Sequence, residues 1–159
     1  MDSREYEFDF NTQYNTFYLS SDEGDASLSE QLDNSKKSLK ERLVKAENLL
    51  VISTHAYGHI RGTLYFLDSI NNNINLSLYD HIVESGLKAE SGEFQILSCP
   101  TFSIEFKTKM KSGTYRVRVY SSGLRFYDTD EEEGVDRYKI EIWPDTYMET
   151  IVLKQYDGY

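Results

Sequence analysis

The strongest constraint on this chain is a two-residue rhythm of large apolar side chains, because successive side chains of a strand point to opposite faces. In Tyr115–Tyr120, Tyr115, Val117 and Val119 share one face, while Arg116, Arg118 and Tyr120 share the other. Tyr138, Ile140 and Ile142 alternate in the same way with Lys139, Glu141 and Trp143, and Pro144 then removes a backbone donor and stops the ladder. Thirteen tyrosines, eight phenylalanines and one tryptophan supply β-forming residues along the rest of the chain. Phe94 and Ile96 precede Phe102, Ile104 and Phe106 across a break at Cys99-Pro100, which reads as a turn. Leu49–Ser53, Gly62–Leu67, Leu76–Glu84, Tyr14–Leu19 and Thr150–Leu153 complete the candidate strands, and the asparagine run Asn71–Asn73 reads as a surface loop. The expected fold is mainly β: a two-sheet antiparallel β-sandwich of roughly eight or nine strands.

One short helix breaks the pattern over Ser35–Glu47, where Ser38 and Glu41 have capping-box spacing and Leu39, Leu43 and Ala46 could share a helical face. Ahead of it, residues 20–35 are small and acidic, too polar to bury, and read as a mobile connection within a single domain covering 1–159. With 159 residues the chain can build one sizeable core.

The charge balance, 27 acidic residues against 17 basic ones and a net −10, argues against direct binding to nucleic acid or to an anionic membrane. A single cysteine cannot close an internal disulfide, and residues 1–20 lack a basic start followed by an apolar run, so the expected location is the cytoplasm.

The sharpest local feature lies between the two clearest strands, where Asp128, Asp130, Glu131, Glu132, Glu133 and Asp136 crowd one hairpin connection. Asp128, Asp130 and Glu132 alternate as in a helix-loop calcium site, but Glu133 stands where that loop needs glycine and Lys139 where it needs a bidentate acid, so no metal is expected. The bland reading is a solvated turn that protects a sheet edge, and the functional one is a partner-binding loop. Arg116, Arg118 and Arg125 among Tyr115, Tyr120, Phe126 and Tyr127 superficially suggest a base-stacking platform. Against the global charge, the economical reading is strand alternation, with Arg116 at the surface facing Glu141 in a cross-strand pair worth about 0.2–1 kcal/mol.

His55 and His59 are four residues apart across a turn-like Tyr57-Gly58, with no third ligand nearby, and His81 beside Asp80 could form a dyad with a distant Ser or with Cys99. These residues carry the alternative of a metal- or cysteine-dependent enzyme. Exposed tyrosines on a sheet carry another, a carbohydrate-binding module. Cys99 itself reads most simply as a small half-buried residue at a strand end.

In order, Tyr79–Glu84, Ser91–Phe94, Gly113–Tyr120 and Asp136–Pro144 make a familiar sequence of pieces. Over residues 79–144 the chain resembles the small bacterial β-sandwich proteins related to the competence-type inhibitor of the DNA-entry nuclease. That resemblance implies a β-sandwich without catalytic residues and, for the inhibitor itself, a role in binding and silencing a nuclease. The combined expectation is a non-catalytic cytosolic binding protein with no cofactor, an immunity-type inhibitor that occludes a basic partner such as a nuclease or nuclease toxin. Its contact residues are expected to be Tyr127, Asp128, Asp130, Glu131, Glu132 and Glu133.

Overall fold

A computed structural model describes residues 4–21, 36–46, 48–55, 58–124 and 133–157, with no account of the side chains of 36–38 and 133–135. The expected mobile connection therefore lies largely outside the described residues, as does most of the acidic connection.

The described residues form eleven strands, one helix and one 3₁₀ turn. The strands are β1 (Arg4–Thr12), β2 (Thr16–Ser21), β3 (Leu43–Ala46), β4 (Leu49–Ser53), β5 (Gly58–Phe66), β6 (His81–Ala89), β7 (Glu93–Ser98), β8 (Ser103–Lys109), β9 (Gly113–Ser122), β10 (Glu133–Pro144) and β11 (Ile151–Lys154), with helix α1 at Lys36–Glu41. They assemble into a six-stranded sheet, β1-β5-β10-β9-β6-β11, and a five-stranded sheet, β3-β4-β2-β7-β8. The fold is mainly β with two sheets, as the rhythm requires, but the strand number is higher than eight or nine. β1 and β3 are the additions. The pairing is also mixed, because β5 and β10 run parallel, with Tyr138 beside Gly62 and Ile140 beside Leu64.

β3 corrects the helix expected over Ser35–Glu47. The helix ends at Glu41, Arg42 takes a left-handed backbone at φ 58°, and Leu43–Ala46 pair with Leu49–Ile52 as an antiparallel strand. Burial decides the contest: Leu43 and Val44 are buried in the strand, whereas Leu39, the supposed start of a helical face, is 62% exposed. Likewise Leu76–Glu84 is not one strand. Leu76–Leu78 form the 3₁₀ turn, capped by the Asn75 side chain accepting from the Ser77 amide, and β6 starts only at His81.

The inward faces of the two sheets share one apolar cluster. Phe8 and Phe10 of β1 meet Phe17 of β2 at ring-centroid distances of 5.8 and 6.0 Å, and Phe94 of β7 meets Phe66 and Tyr115 at 5.2 and 5.1 Å. Offset and edge-to-face contacts of this kind add to the area they bury. Tyr115, Val117 and Val119 enter this cluster together, as do Tyr138, Ile140 and Ile142, so the alternation read from both segments holds.

Gly62 lets this core close. A Cβ there would lie 2.2 Å from Phe8 Cζ on one side and 2.4 Å from the Tyr138 carbonyl oxygen on the other. The carbonyl is backbone of a paired strand and cannot swing away, and the Phe8 ring is held between Phe10 and Phe17. Gly62→Ala is expected to cost about 1–3 kcal/mol through overpacking, read as a lower urea midpoint with an unchanged m-value.

Candidate partner-binding site

The connection between β9 and β10 is anchored at both stems. The strands pair antiparallel from Ser122↔Arg137 to Tyr115↔Pro144, which gives the hairpin expected from the sequence. On the outgoing stem, the Leu124 amide donates to Asp80 Oδ2 at 2.8 Å, and Tyr156 Oη donates to the Leu124 carbonyl at 3.0 Å. On the returning stem, the buried Asp136 carboxylate accepts from the His55 amide at 3.0 Å and from Tyr138 Oη at 2.5 Å. Burial, and then the adjacent Asp136 charge, push the Tyr138 phenol well above its ordinary pKa. The phenol is therefore a fixed donor at neutral pH. Asp136 thus belongs to the frame of the loop and not to its presented face.

Of the expected contact residues, Tyr127, Asp128, Asp130, Glu131 and Glu132 lie outside the described residues. Glu133 opens β10 with its backbone beside His59 of β5.

The outer face of β9 differs from its expected role. Arg116 and Arg118 are each 2% exposed, so Arg116 is not a surface residue, and the register places Glu141 opposite Arg118 while Trp143 stands opposite Arg116. The residue that joins them is Glu84 on β6, whose two carboxylate oxygens accept from Arg116 Nε at 3.0 Å and Arg118 Nε at 2.7 Å. Arg118 Nη1 also donates to Tyr120 Oη at 2.9 Å and to the Asn71 carbonyl at 2.8 Å, and reaches Glu141 Oε1 at 3.4 Å. Tyr120 Oη donates to Glu141 Oε1, and Asn71 Nδ2 donates to Glu141 Oε2 at 3.0 Å. Burial, with the Glu141 hydrogen bond second, raises the Tyr120 phenol above its usual value. Asn71, read as part of a surface loop, is thus a capping residue of this network.

Two segments cover these charges. Tyr79 lies against Tyr120 at 4.6 Å, and Arg116 Nη1 donates to the Tyr147 carbonyl at 3.1 Å and to that of Glu149. Gly86 of β6 makes room for the second segment, since a Cβ there would fall 2.5 Å from Met148 Cα. Arg118 stacks over Trp143 and Arg116 over Tyr147, each at 4.9 Å from the ring centroid. Two glutamates face two arginines in a covered layer, with the partly exposed Lys139 at its margin, 3.9 Å from Glu141 Oε2. Side chains held in this way are not presented to bases, which removes Arg116 and Arg118 from any stacking platform; Arg125, Phe126 and Tyr127 lie outside the described residues.

The candidate enzyme residues are dispersed among separate tasks. His81 is fully buried, with Nε2 donating to the Glu41 carbonyl at 2.7 Å and Nδ1 accepting from the Tyr156 amide at 3.0 Å. Both ring nitrogens are used, so no dyad with Cys99 forms. His59 contacts the Asp9 carboxylate on the outer face of β1 and β5, and the His55 backbone holds Asp136. Cys99 Sγ accepts from Tyr18 Oη at 3.2 Å in a turn where Tyr18 and Phe102 stack at 4.4 Å, and its bond to Pro100 is cis. Among the described residues no three His, Cys, Asp or Glu side chains converge as metal ligands.

An open hollow of about 300 Å³ lies over β1, β5 and β10, lined by Glu7, Asp9, Arg61, Thr63 and Arg137 around Phe8, Gly62 and Tyr138. Its rim is charged, unlike the coplanar tyrosines that a sugar-binding groove requires. Among the described residues no helix is long and apolar enough to cross a membrane.

The architecture places the chain with mainly β proteins built on two sheets sharing one core. No family model and no curated protein matches the sequence. Among solved structures, the fold is similar to that of ComJ, inhibitor of the DNA degrading activity of NucA, from Bacillus subtilis, with a TM-score of 0.69 and 10% identity over 91% of this chain and 100% of that one. It is also similar to the structure titled Crocagin biosynthetic gene J, with a TM-score of 0.60 and 13% identity over 92% of this chain and 100% of that one. The resemblance seen in residues 79–144 thus extends, as a relation of fold, along almost the whole chain.

Proposed function

We propose that this chain is a non-catalytic cytosolic binding protein that inhibits a nuclease by occluding its cleft. The observation that carries this reading is the shared fold with a nuclease inhibitor over 91% of the chain. The charge supports it: 27 acidic against 17 basic residues give a surface suited to a cationic partner. A nuclease cleft is electropositive because it holds phosphates, so carboxylates on a firm support enter the same field and accelerate encounter. In this reading the two sheets are the layers of a sandwich that acts as the frame. The segment Asp128, Asp130, Glu131, Glu132 and Glu133 then meets the cleft, with Tyr127 as an aromatic anchor at its edge.

The test is inhibition of a nuclease from the same source, with association rates measured across a salt series. Asp130→Asn, Glu131→Gln, Glu132→Gln and Glu133→Gln together are expected to lower the association rate by about ten-fold and to flatten its salt dependence, leaving the thermal midpoint unchanged. Unaltered association removes the loop from the mechanism. Failure to inhibit any nuclease removes the reading itself.

A further inference from the structure

We propose that β1 is a docking edge, on which an extended basic segment of a partner protein adds as a seventh strand of the six-stranded sheet. Among the described residues each sheet ends in two edge strands, and three of the four are unsuited to strand addition. β3 and β11 are four residues long, and β8 carries a register shift between its pairings with Ile96 and Leu97 that leaves Glu105 without an opposite residue. Short strands and bulges are standard obstacles to edge pairing. β1 has neither. Its nine residues keep one unbroken antiparallel register with β5 from Arg4↔Phe66 to Thr12↔Gly58, and it contains no proline.

The side chains of this edge define what fits it. Tyr6, Phe8 and Phe10 turn inward, while Glu5, Glu7, Asp9 and Asn11 are exposed on the outer face. Three carboxylates therefore repeat at every second residue, roughly 7 Å apart along the strand. Asp9 is engaged by His59 and by Arg61 at 3.5 Å, and Glu5 lies 3.4 Å from Tyr65 Oη, but Glu7 makes no ion pair among the described residues. Glu7 also borders the open hollow over β1, β5 and β10, so its carboxylate is not covered by a neighbouring side chain of the sheet edge.

A second copy of this chain does not fit. An antiparallel β1–β1 pair centred on Phe8 sets Glu7 opposite Asp9 of the copy, and one centred on Glu7 sets Glu5 opposite Asp9; like charges directly opposite repel. A strand with Lys or Arg at alternate positions satisfies the same geometry with attraction, and its backbone supplies the remaining affinity. This inference rests on the proposed role as a partner-binding protein and assigns it a second contact surface.

The probe is the nonapeptide Lys-Val-Lys-Val-Lys-Val-Lys-Val-Lys, titrated into the full chain while backbone amide shifts and hydrogen exchange are followed by NMR. Expected are slowed exchange at β1 amides, an affinity about ten-fold weaker in the Glu5→Lys/Glu7→Lys variant, and loss of binding when alternate peptide amides are N-methylated on the pairing edge. No binding, equal binding of the N-methylated peptide, shifts confined to other strands, or self-association of the chain through β1 would each overturn the proposal. The nuclease assay separates the two readings: inhibition without peptide binding removes the docking edge alone, whereas peptide binding at β1 without inhibition removes the nuclease reading alone.

Discussion

Glu84→Ala is expected to destabilise the protein by about 3–5 kcal/mol, the range for removing one partner of a buried ion pair. Glu84 is 7% exposed and gives one carboxylate oxygen to each of two guanidinium groups that are 2% exposed. Without it, Arg116 keeps only the carbonyls of Tyr147 and Glu149, and Arg118 is left with the Glu141 carboxylate, which it reaches at 3.4 Å and which Lys139 also approaches at 3.9 Å. Water cannot readily replace the lost charge, because Asn71, Tyr79 and the backbone of Tyr147 and Glu149 cover the layer. Glu84→Gln retains the shape and offers no relief: its amide nitrogen turns a donor toward a guanidinium N–H. Urea titration with intrinsic fluorescence reads the loss, and a loss under 1 kcal/mol would show that the layer is solvated.

The partner substitution completes the argument. Glu84→Met combined with Arg116→Leu removes one charge of each sign and leaves Arg118 with Glu141. The double variant is expected to be less destabilised than the sum of its single variants, with a coupling of about 1–3 kcal/mol. The pair expected from sequence, Arg116 with Glu141 at the surface, would be worth no more than about 1 kcal/mol. Burial, and not the identity of the charges, makes the difference.

This layer also marks where local reading of the sequence stops. Alternation assigns Arg116, Arg118 and Tyr120 correctly to one face of β9, and Lys139, Glu141 and Trp143 to one face of β10. It cannot reveal that a second layer of chain covers that face, since the cover comes from Asn71 and Tyr79 before β6 and from residues 145–150 after β10. Glu84 falls in a segment read as strand, but its match to Arg118 depends on β6 lying beside β9, a pairing 34 residues apart. The alternation Glu5-Tyr6-Glu7-Phe8-Asp9-Phe10, by contrast, was available: it has the same two-residue rhythm as β9, and the acidic half of the pattern obscured it. β3 had a weaker signal. Leu43 and Val44 fit a short strand as well as a helical turn, and their burial on pairing with β4 decides between them. For the candidate site, sequence placed the two strands that pair as β9 and β10, while most of the acidic residues between them lie outside the described residues. It did not show how Asp80, Tyr156 and His55 tie down the two stems, because those residues arrive from three distant parts of the chain, to join Tyr138 on the returning stem itself.

His81 makes stability depend on pH in a window that the surface charges do not set. Its imidazole is fully buried and both nitrogens are committed, Nε2–H to the last carbonyl of α1 and Nδ1 to the Tyr156 amide. A proton on Nδ1 would face an N–H donor. Burial chiefly, with a contribution from the Arg42 charge and against the pull of the Glu41 carbonyl, lowers its pKa from 6.5 to about 4. The unfolded chain therefore takes up a proton near pH 6.5 that the folded chain refuses until near pH 4, so the contribution is complete above pH 6.5 and lost as pH falls through that interval. At about 1.4 kcal/mol per pKa unit, the loss between pH 7 and pH 4 is about 3 kcal/mol. His81→Gln places no ionisable group at this position, so its stability should fall less steeply over the same interval, although it starts lower at pH 7. Urea midpoints for both proteins at half-unit steps from pH 7.5 to 4 measure the difference, and parallel curves would mean that the folded imidazole titrates normally. Because these hydrogen bonds join β6, the end of α1 and Tyr156, and Tyr156 in turn holds the Leu124 carbonyl, the loss of this contact at low pH should loosen the outgoing stem of the acidic hairpin before the core yields.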